Sequence, residues 1–202
     1  MTMGKMRLAA LCLLVSALFP SLIRAQVPAA VPVFQITPGD STIKFFVKSS
    51  VALEGNFDKW DATLVYTSTD YKTGALDVEI HAASVNTGSG MKDGKLKSKD
   101  FFNVEQDPLI TFKSTGVKET GPTTFEVDGN FTIRGVTKPE KLILEVVGKG
   151  TGSGTITGTM AFDRKDYGMN SGIPFIKIAD RVEVTVNLKV KRVSGPPLVF
   201  GQ

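Results

Sequence analysis

The run RVEVTVNLKVKR, Arg181 to Arg192, constrains the fold more than any other stretch of the chain. Val182, Val184, Val186, Leu188 and Val190 fall on one side of an extended backbone, and Glu183, Thr185, Asn187, Lys189 and Lys191 fall on the other. A helix face repeats about every 3.6 residues, so a period of two sustained this long specifies a strand with one apolar and one polar face. The pattern recurs. TTFEVDGNFTI sets Phe125, Val127, Phe131 and Ile133 against Glu126, Asp128, Asn130 and Thr132. LDVEIHAA sets Leu76, Val78, Ile80 and Ala82 against Asp77, Glu79 and His81. STIKFFVK, DATLVYTS, PLITFKST, KLILEVVG and TITGTMAF read as further strands. VALEGNF continues or follows the first of these, with Gly55 as the candidate for a sharp bend.

Eight or nine strands result, joined by turn signals such as Thr73-Gly74, Thr120-Gly121-Pro122 and Gly152-Ser153-Gly154. No long helical pattern separates them, so parallel crossovers are not expected. An all-β chain whose strands each have one apolar face is best satisfied by an extended eight-stranded antiparallel up-and-down barrel, because closure leaves no exposed edge. A two-sheet sandwich is the alternative. A membrane-spanning barrel would alternate too, with its apolar side outward. The mostly short links, and the mixture of Lys, Glu, Asp and Thr on the polar face, suit a surface in water instead.

The first 25 residues carry the parts of a secretory signal. Lys5 and Arg7 make a basic start, Leu8 to Ile23 is almost wholly apolar, and Ala25 precedes a cleavage point at Gln26. The run is short for a membrane span and Pro20 interrupts it, which favours removal over an uncleaved anchor. Cys12, the one cysteine, lies inside this segment, and Leu11 stands where a lipid-attachment motif wants a small residue. The mature chain then has no disulfide, and its core must hold the fold alone. Cleavage removes Lys5, Arg7 and Arg24 from the 24 basic residues, leaving 21 against 20 acidic ones. The formal charge falls from +4 to about +1, and nucleic-acid binding loses its main support. The expected organisation is a signal peptide (1–25), a Pro/Ala-rich leader (26–32), one barrel domain (33–192) and a C-terminal tail (193–202), in a periplasmic or secreted protein.

Little in the mature chain points to catalysis. His81 is its one histidine, on the polar face of a strand, which excludes a conventional zinc site and leaves a serine triad without a nucleophile elbow. No phosphate-binding or dinucleotide-binding loop is present. The densest charged cluster, FDRKDYGMNSG, contains Asp163, Arg164, Asp166 and Tyr167 and reads as a locally paired strand end. The inward set is richer. Phe45, Leu64, Phe112, Phe125, Phe131, Met160 and Phe162 all fall on it, either as plain core or as the wall of an apolar pore, with Gly129 and Gly158 leaving room.

The stretch DGKLKSKDFFNVEQDPLITFKST closely resembles the signature of the YceI-like family, through Asp93, Leu96, Ser98, Phe101, Phe102, Pro108, Phe112 and Ser114 in order. GNFDKW, VDGNFTIRGVTKPEKLILEV and DRKDYGM agree, so the resemblance spans about Phe34 to Lys191. It implies a lipocalin-like barrel with an apolar pore for an isoprenoid tail, in a family of secreted bacterial proteins that includes binders of prenyl diphosphates, quinones and fatty acyl amides. The expected function is a periplasmic carrier or reservoir for a long isoprenoid, with an enzyme acting on such a lipid through Asp163, Asp166 or Tyr167 as the alternative. No cofactor and no metal are expected; a bound isoprenoid lipid or quinone is the compatible ligand. Transient contact with a membrane or a membrane redox protein is compatible with that role, and a homodimer is left open. Lys95 stands where the family usually has histidine, so a phosphate or carboxylate head group is a hypothesis for this chain. Met91 to Asn103 is expected to form a short helical or turn-rich cap, with Leu96, Phe101 and Phe102 inward and Lys92, Lys95, Lys97 and Lys99 in water.

Overall fold

The computed structural model describes residues 30–200 apart from 52, 173 and 174; the signal-like segment and most of the leader lie outside the described residues. The strands run in chain order as β1 (Val33–Ile36), β2 (Thr42–Ser49), β3 (Leu53–Phe57), β4 (Trp60–Val65), β5 (Ala75–His81) and β6 (Val85–Asn86). A helix, α1 (Gly90–Lys97), then precedes β7 (Leu109–Glu119), β8 (Thr124–Ile133), β9 (Val136–Val147), β10 (Ser153–Asp163) and β11 (Ile178–Ser194). Their ladders are all antiparallel. The order across the sheet is β4-β5-β7-β8-β9-β10-β11-β2-β3-β6, with β1 also on β11.

One bent strand closes the ring. β3 pairs with β2 from Lys44↔Asn56 to Val47↔Leu53, and β4 pairs with β5 from Trp60↔Ile80 to Val65↔Ala75. Only Asp58 and Lys59 separate β3 from β4. Across that bend the Asp58 N–H donates to the Ser84 carbonyl (3.1 Å) and the His81 N–H donates to the Lys59 carbonyl (3.0 Å). The two ends of the sheet are therefore joined through the chain itself. The bend falls here and not at Gly55, which serves a different need: a Cβ there would come 2.7 Å from the Asn86 carbonyl and 2.9 Å from the Phe45 ring.

β11 is long enough to carry two partners in succession on one edge. β2 pairs with it from Ile178 to Asn187, and β1 takes over from Val190 to Ser194. Counting β3–β4 as one strand and β1 with β2 as one position gives eight positions around the barrel. β1 lies beside β4 without a ladder between them among the described residues, and the Phe34 and Tyr66 rings meet at that seam (5.6 Å).

The apolar face points inward. Val182, Val186, Leu188 and Val190 of β11 are buried and Val184 is half-buried, while Glu183, Thr185, Lys189 and Lys191 are exposed. This is the reverse of a membrane-spanning barrel. Each fully buried Phe, Leu, Ile or Val side chain contributes about 1.5–3 kcal/mol, which lets the core dispense with disulfides. β11 ends at Ser194, and residues 195–200 fold back over one end of the barrel. The Val199 N–H donates to the Thr69 carbonyl (2.8 Å) and the Tyr71 N–H donates to the Val199 carbonyl (3.3 Å).

Candidate functional site

Among the described residues, two apolar cavities lie in the interior, about 120 Å³ at the end covered by residues 197–200 and about 70 Å³ beneath α1. Strand periodicity shows that they share one axis. On β7, Ile110 lines the cavity under α1, Ser114 lines the other, and Phe112 between them lines neither. On β5 the sequence is Ile80, Val78 and Leu76; on β11 it is Val182 and Val184, then Val186 and Leu188, then Val190. On β10, Phe162 and Ile156 line opposite cavities, and Met160 and Gly158 lie between. The pore is pinched at a waist of Val78, Phe112, Met160 and Val186.

Gly129 and Gly158 sit at that waist, but their space is filled. A Cβ at Gly129 would collide with the Phe112 ring, with Cε2 at 2.8 Å. A Cβ at Gly158 would meet Val186 Cγ2 at 2.5 Å and Leu144 Cδ2 at 2.8 Å. The glycines admit large side chains from neighbouring strands and do not widen the pore, contrary to the expectation from sequence.

Of the residues expected to line the pore, Phe45, Leu96, Phe101, Phe102, Phe131 and Phe162 come together around the cavity under α1. Leu64 and Phe125 line the other cavity. Phe112 and Met160 are buried in the waist and line neither. Aromatic contacts link the wall: Phe45–Phe57 (5.7 Å), Phe57–Phe102 (5.9 Å) and Phe131–Phe162 (5.0 Å).

The cap explains its own motif. An eight-residue helix is too short to persist alone, and α1 is held by buried Leu96, Phe101 and Phe102. Asp93 accepts hydrogen bonds from the Thr87 hydroxyl (2.6 Å) and N–H (2.8 Å), fastening α1 behind β6. The hydroxyl bond is the main reason its carboxyl is held below the usual range. The Ser98 hydroxyl donates to the Lys95 carbonyl (2.7 Å), and Ser114 Oγ accepts from the Leu76 N–H (2.8 Å). Lys95 is half-exposed; its ammonium donates to Asp100 Oδ2 at 2.6 Å and lies 5.6 Å from the Phe101 ring centre. The cation is thus partnered, and a head group would share it with Asp100. Arg134, in the β8–β9 turn, ties the cap down by donating to the Lys99 carbonyl (2.7 Å) and to the Gly168 carbonyl. Nothing in the sequence marked Arg134, because its two acceptors lie on other elements.

Arg164 is the one charged residue in the wall of the cavity under α1, and only 6% exposed. Its guanidinium donates to the Ala179 (3.2 Å), Ser171 (2.9 Å) and Met169 carbonyls and to Asp180 (3.1 Å), so it builds the β10–β11 connection into the wall. The other members of its cluster face different tasks. Asp163 accepts from the Lys165 N–H (2.8 Å), Asp166 pairs with Lys138 (3.3 Å), and the Tyr167 hydroxyl donates to Glu140 (2.8 Å). Burial, then that hydrogen bond, push the Tyr167 hydroxyl far above its usual range, so it is a poor acid or base near neutrality. His81 is exposed, outside the pore.

At the opposite end, Phe200 stacks on Tyr71 (5.5 Å, 16° between planes), approaches Phe125 (6.1 Å) and lies 4.3 Å beneath the Lys149 ammonium. Lys149 is also paired with Glu119. Of the expected tail, Pro197, Leu198 and Phe200 therefore line this cavity and plug its end.

Known proteins share this fold. Residues 34–190 match the YceI-like domain. A UPF0312 protein of Azotobacter vinelandii is 36% identical over 98 residues, which is 48% of this chain and 51% of the relative, so the chain spans about half of that protein's length. A UPF0312 protein of Pseudomonas savastanoi is 30% identical over 135 residues, 63% of this chain and 69% of that one. Among solved structures, Burkholderia cenocepacia BcnA superposes with a TM-score of 0.69 at 24% identity, over 77% of this chain and 99% of its own. A polyisoprenoid binding domain from Saccharophagus degradans, implicated in plant cell wall breakdown, gives 0.62 at 15% identity, over 80% and 99%. These two likenesses concern the fold. With its domain match covering nearly all of the barrel and the signature residues building the cap, the waist and the wall, the chain belongs to the YceI-like family.

Proposed function

We propose that the barrel binds a long-chain isoprenoid or similar amphiphilic lipid along its axis and acts as a periplasmic or secreted carrier or reservoir, without a cofactor. The observation that carries this reading is the pair of apolar cavities on one axis, separated by a waist of four side chains. Pockets that enclose whole small ligands measure roughly 300–1,000 Å³, so a long tail requires the waist to open. Met160 is unbranched and flexible, and Phe112 is held by its fit over Gly129. Each methylene moved from water contributes about 0.8 kcal/mol, so a prenyl chain supplies both the affinity and the energy to displace them. Carriage is favoured over catalysis because Asp163, Asp166 and Tyr167 are engaged separately, and none lines the cavities. Membrane contact would accompany loading and release.

Native mass spectrometry of protein purified from its own host tests this. The expected result is one lipid of isoprenoid length retained unchanged. Incubation with that lipid should give no product. Phe112→Ala, which merges the cavities, should favour longer chains over shorter ones. Protein that carries no lipid and binds no prenyl probe would overturn the reading, and turnover would transfer it to the enzyme class.

A further inference from the structure

The cavity under α1 is framed by three segments whose tips are apolar and exposed. Leu53 lines it beside the β2–β3 turn, which presents Val51; Met169 lines it on the β10–β11 connection, which presents Phe175; Leu96 lines it from α1, which presents Met91. Phe175 (105%) and Met91 (88%) are the two most exposed large apolar residues among the described residues. Both stand on this one rim of the barrel. The segments adjoin one another. The Ser50 N–H donates to the Lys177 carbonyl (3.0 Å), and Arg134 bridges the cap to the start of the β10–β11 connection.

The charge around these tips is basic. Lys48, Lys97, Lys99 and Lys177 have no carboxylate within 4.0 Å among the described residues. Of the acids on the same rim, Asp100 pairs with Lys95 and Asp180 with Arg164 and Lys165 (2.7 Å), while Glu54, beside Leu53, is exposed without a cation within 4.0 Å among the described residues, so lysines outnumber open carboxylates there. Separate apolar points set among lysines suit a fluid anionic surface, where side chains enter between acyl chains and ammonium groups meet phosphates. A shaped protein partner would favour a continuous apolar patch.

We propose that this rim is a docking surface for an anionic phospholipid bilayer, with Phe175 and Met91 inserted and the lysines at the phosphate level. Docking in this pose sets the cavity under α1 against the membrane, so a tail crosses between bilayer and barrel without passing through bulk water. The proposal rests on the lipid-binding reading above.

Vesicle flotation with the purified protein tests it, using mixed phosphatidylglycerol–phosphatidylcholine vesicles and phosphatidylcholine alone. The protein should float with the anionic vesicles only, and less so as salt rises. Lys177→Gln should weaken binding about fivefold, and Phe175→Asp should weaken it further. Val193→Asp, an exposed position at the opposite end of β11 that lines neither cavity, should leave it unchanged. Binding of a fluorescent prenyl probe in solution should be the same in Phe175→Asp as in the unaltered protein, which keeps failure of docking separate from failure of the pore. Equal flotation with both vesicle types, or undiminished flotation in both rim variants, overturns the proposal. So does self-association in solution that Phe175→Asp abolishes, since the rim would then belong to a second copy of the chain.

Discussion

Gly129 shows how one residue sets the bore of the barrel. Its missing side chain is the seat of the Phe112 ring, across the Ser114↔Gly129 register of β7 and β8. Gly129→Ala should push that ring off its seat and cost about 1–3 kcal/mol, read as a lower denaturant midpoint with an unchanged slope. An unchanged midpoint would mean that the ring moves freely. Lys95 poses the opposite case, a charge whose partner dampens it. Asp100 is held below the usual carboxylate range first by the hydrogen bond from Lys95, then by that ammonium's charge. Asp100→Asn should release the cation and give a small, salt-sensitive gain for a prenyl phosphate over an uncharged quinone of equal tail length. Titration of both ligands checks this; equal changes for the two would make Lys95 a packing residue only.

Among the elements, the cap and the C-terminal plug close opposite ends by different physics. The capped end depends on carboxylates: Asp93 and Asp100 in the cap, held low first by hydrogen bonds from the Thr87 hydroxyl and from Lys95, and Asp180 on β11 beside it, held low first by a hydrogen bond from Lys165. A group whose folded pKa is depressed stabilises fully above its unfolded pKa and loses that contribution as pH falls through the folded value. Protection factors of the Leu96, Phe101 and Phe102 amides, which remove the pH dependence of intrinsic exchange, should therefore be constant from pH 8 to about 5 and fall below about 4. The plug depends on ring contacts instead. Phe200→Ala removes a ring stacked on Tyr71 and lying under Lys149, and should lower stability by about 1–3 kcal/mol while speeding entry of a fluorescent prenyl probe. Stopped-flow mixing separates the two effects; an unchanged entry rate would show that ligand enters only at the capped end.

For the whole molecule, binding and stability are linked through the waist. A ligand that binds only the folded barrel raises its stability by about 2.7 kcal/mol at a hundred times its dissociation constant. The shift in Tm should grow with prenyl chain length and steepen once the chain is long enough to pass Phe112 and Met160. A shift that saturates for short chains would place ligand in one cavity alone.

Most strand positions, though not the short β1 and β6, the inward face and the inward turn of Leu96, Phe101 and Phe102 were legible in the sequence, because alternation and aromatic pairs are local properties that burial then obeys. Without tertiary contacts, three features were out of reach: closure at Asp58–Lys59, the plug formed by Phe200, and the burial of Arg164. Each depends on partners far along the chain. The waist is the clearest case. Phe112 and Gly129 are each ordinary inward residues of their own strands, and only the register between β7 and β8, with its shift between Ser114 and Gly116, seats one in the other. Periodicity assigns a side chain to the interior. Which neighbour it meets there, and so whether the interior is core or pore, is decided by strand register and side-chain size together.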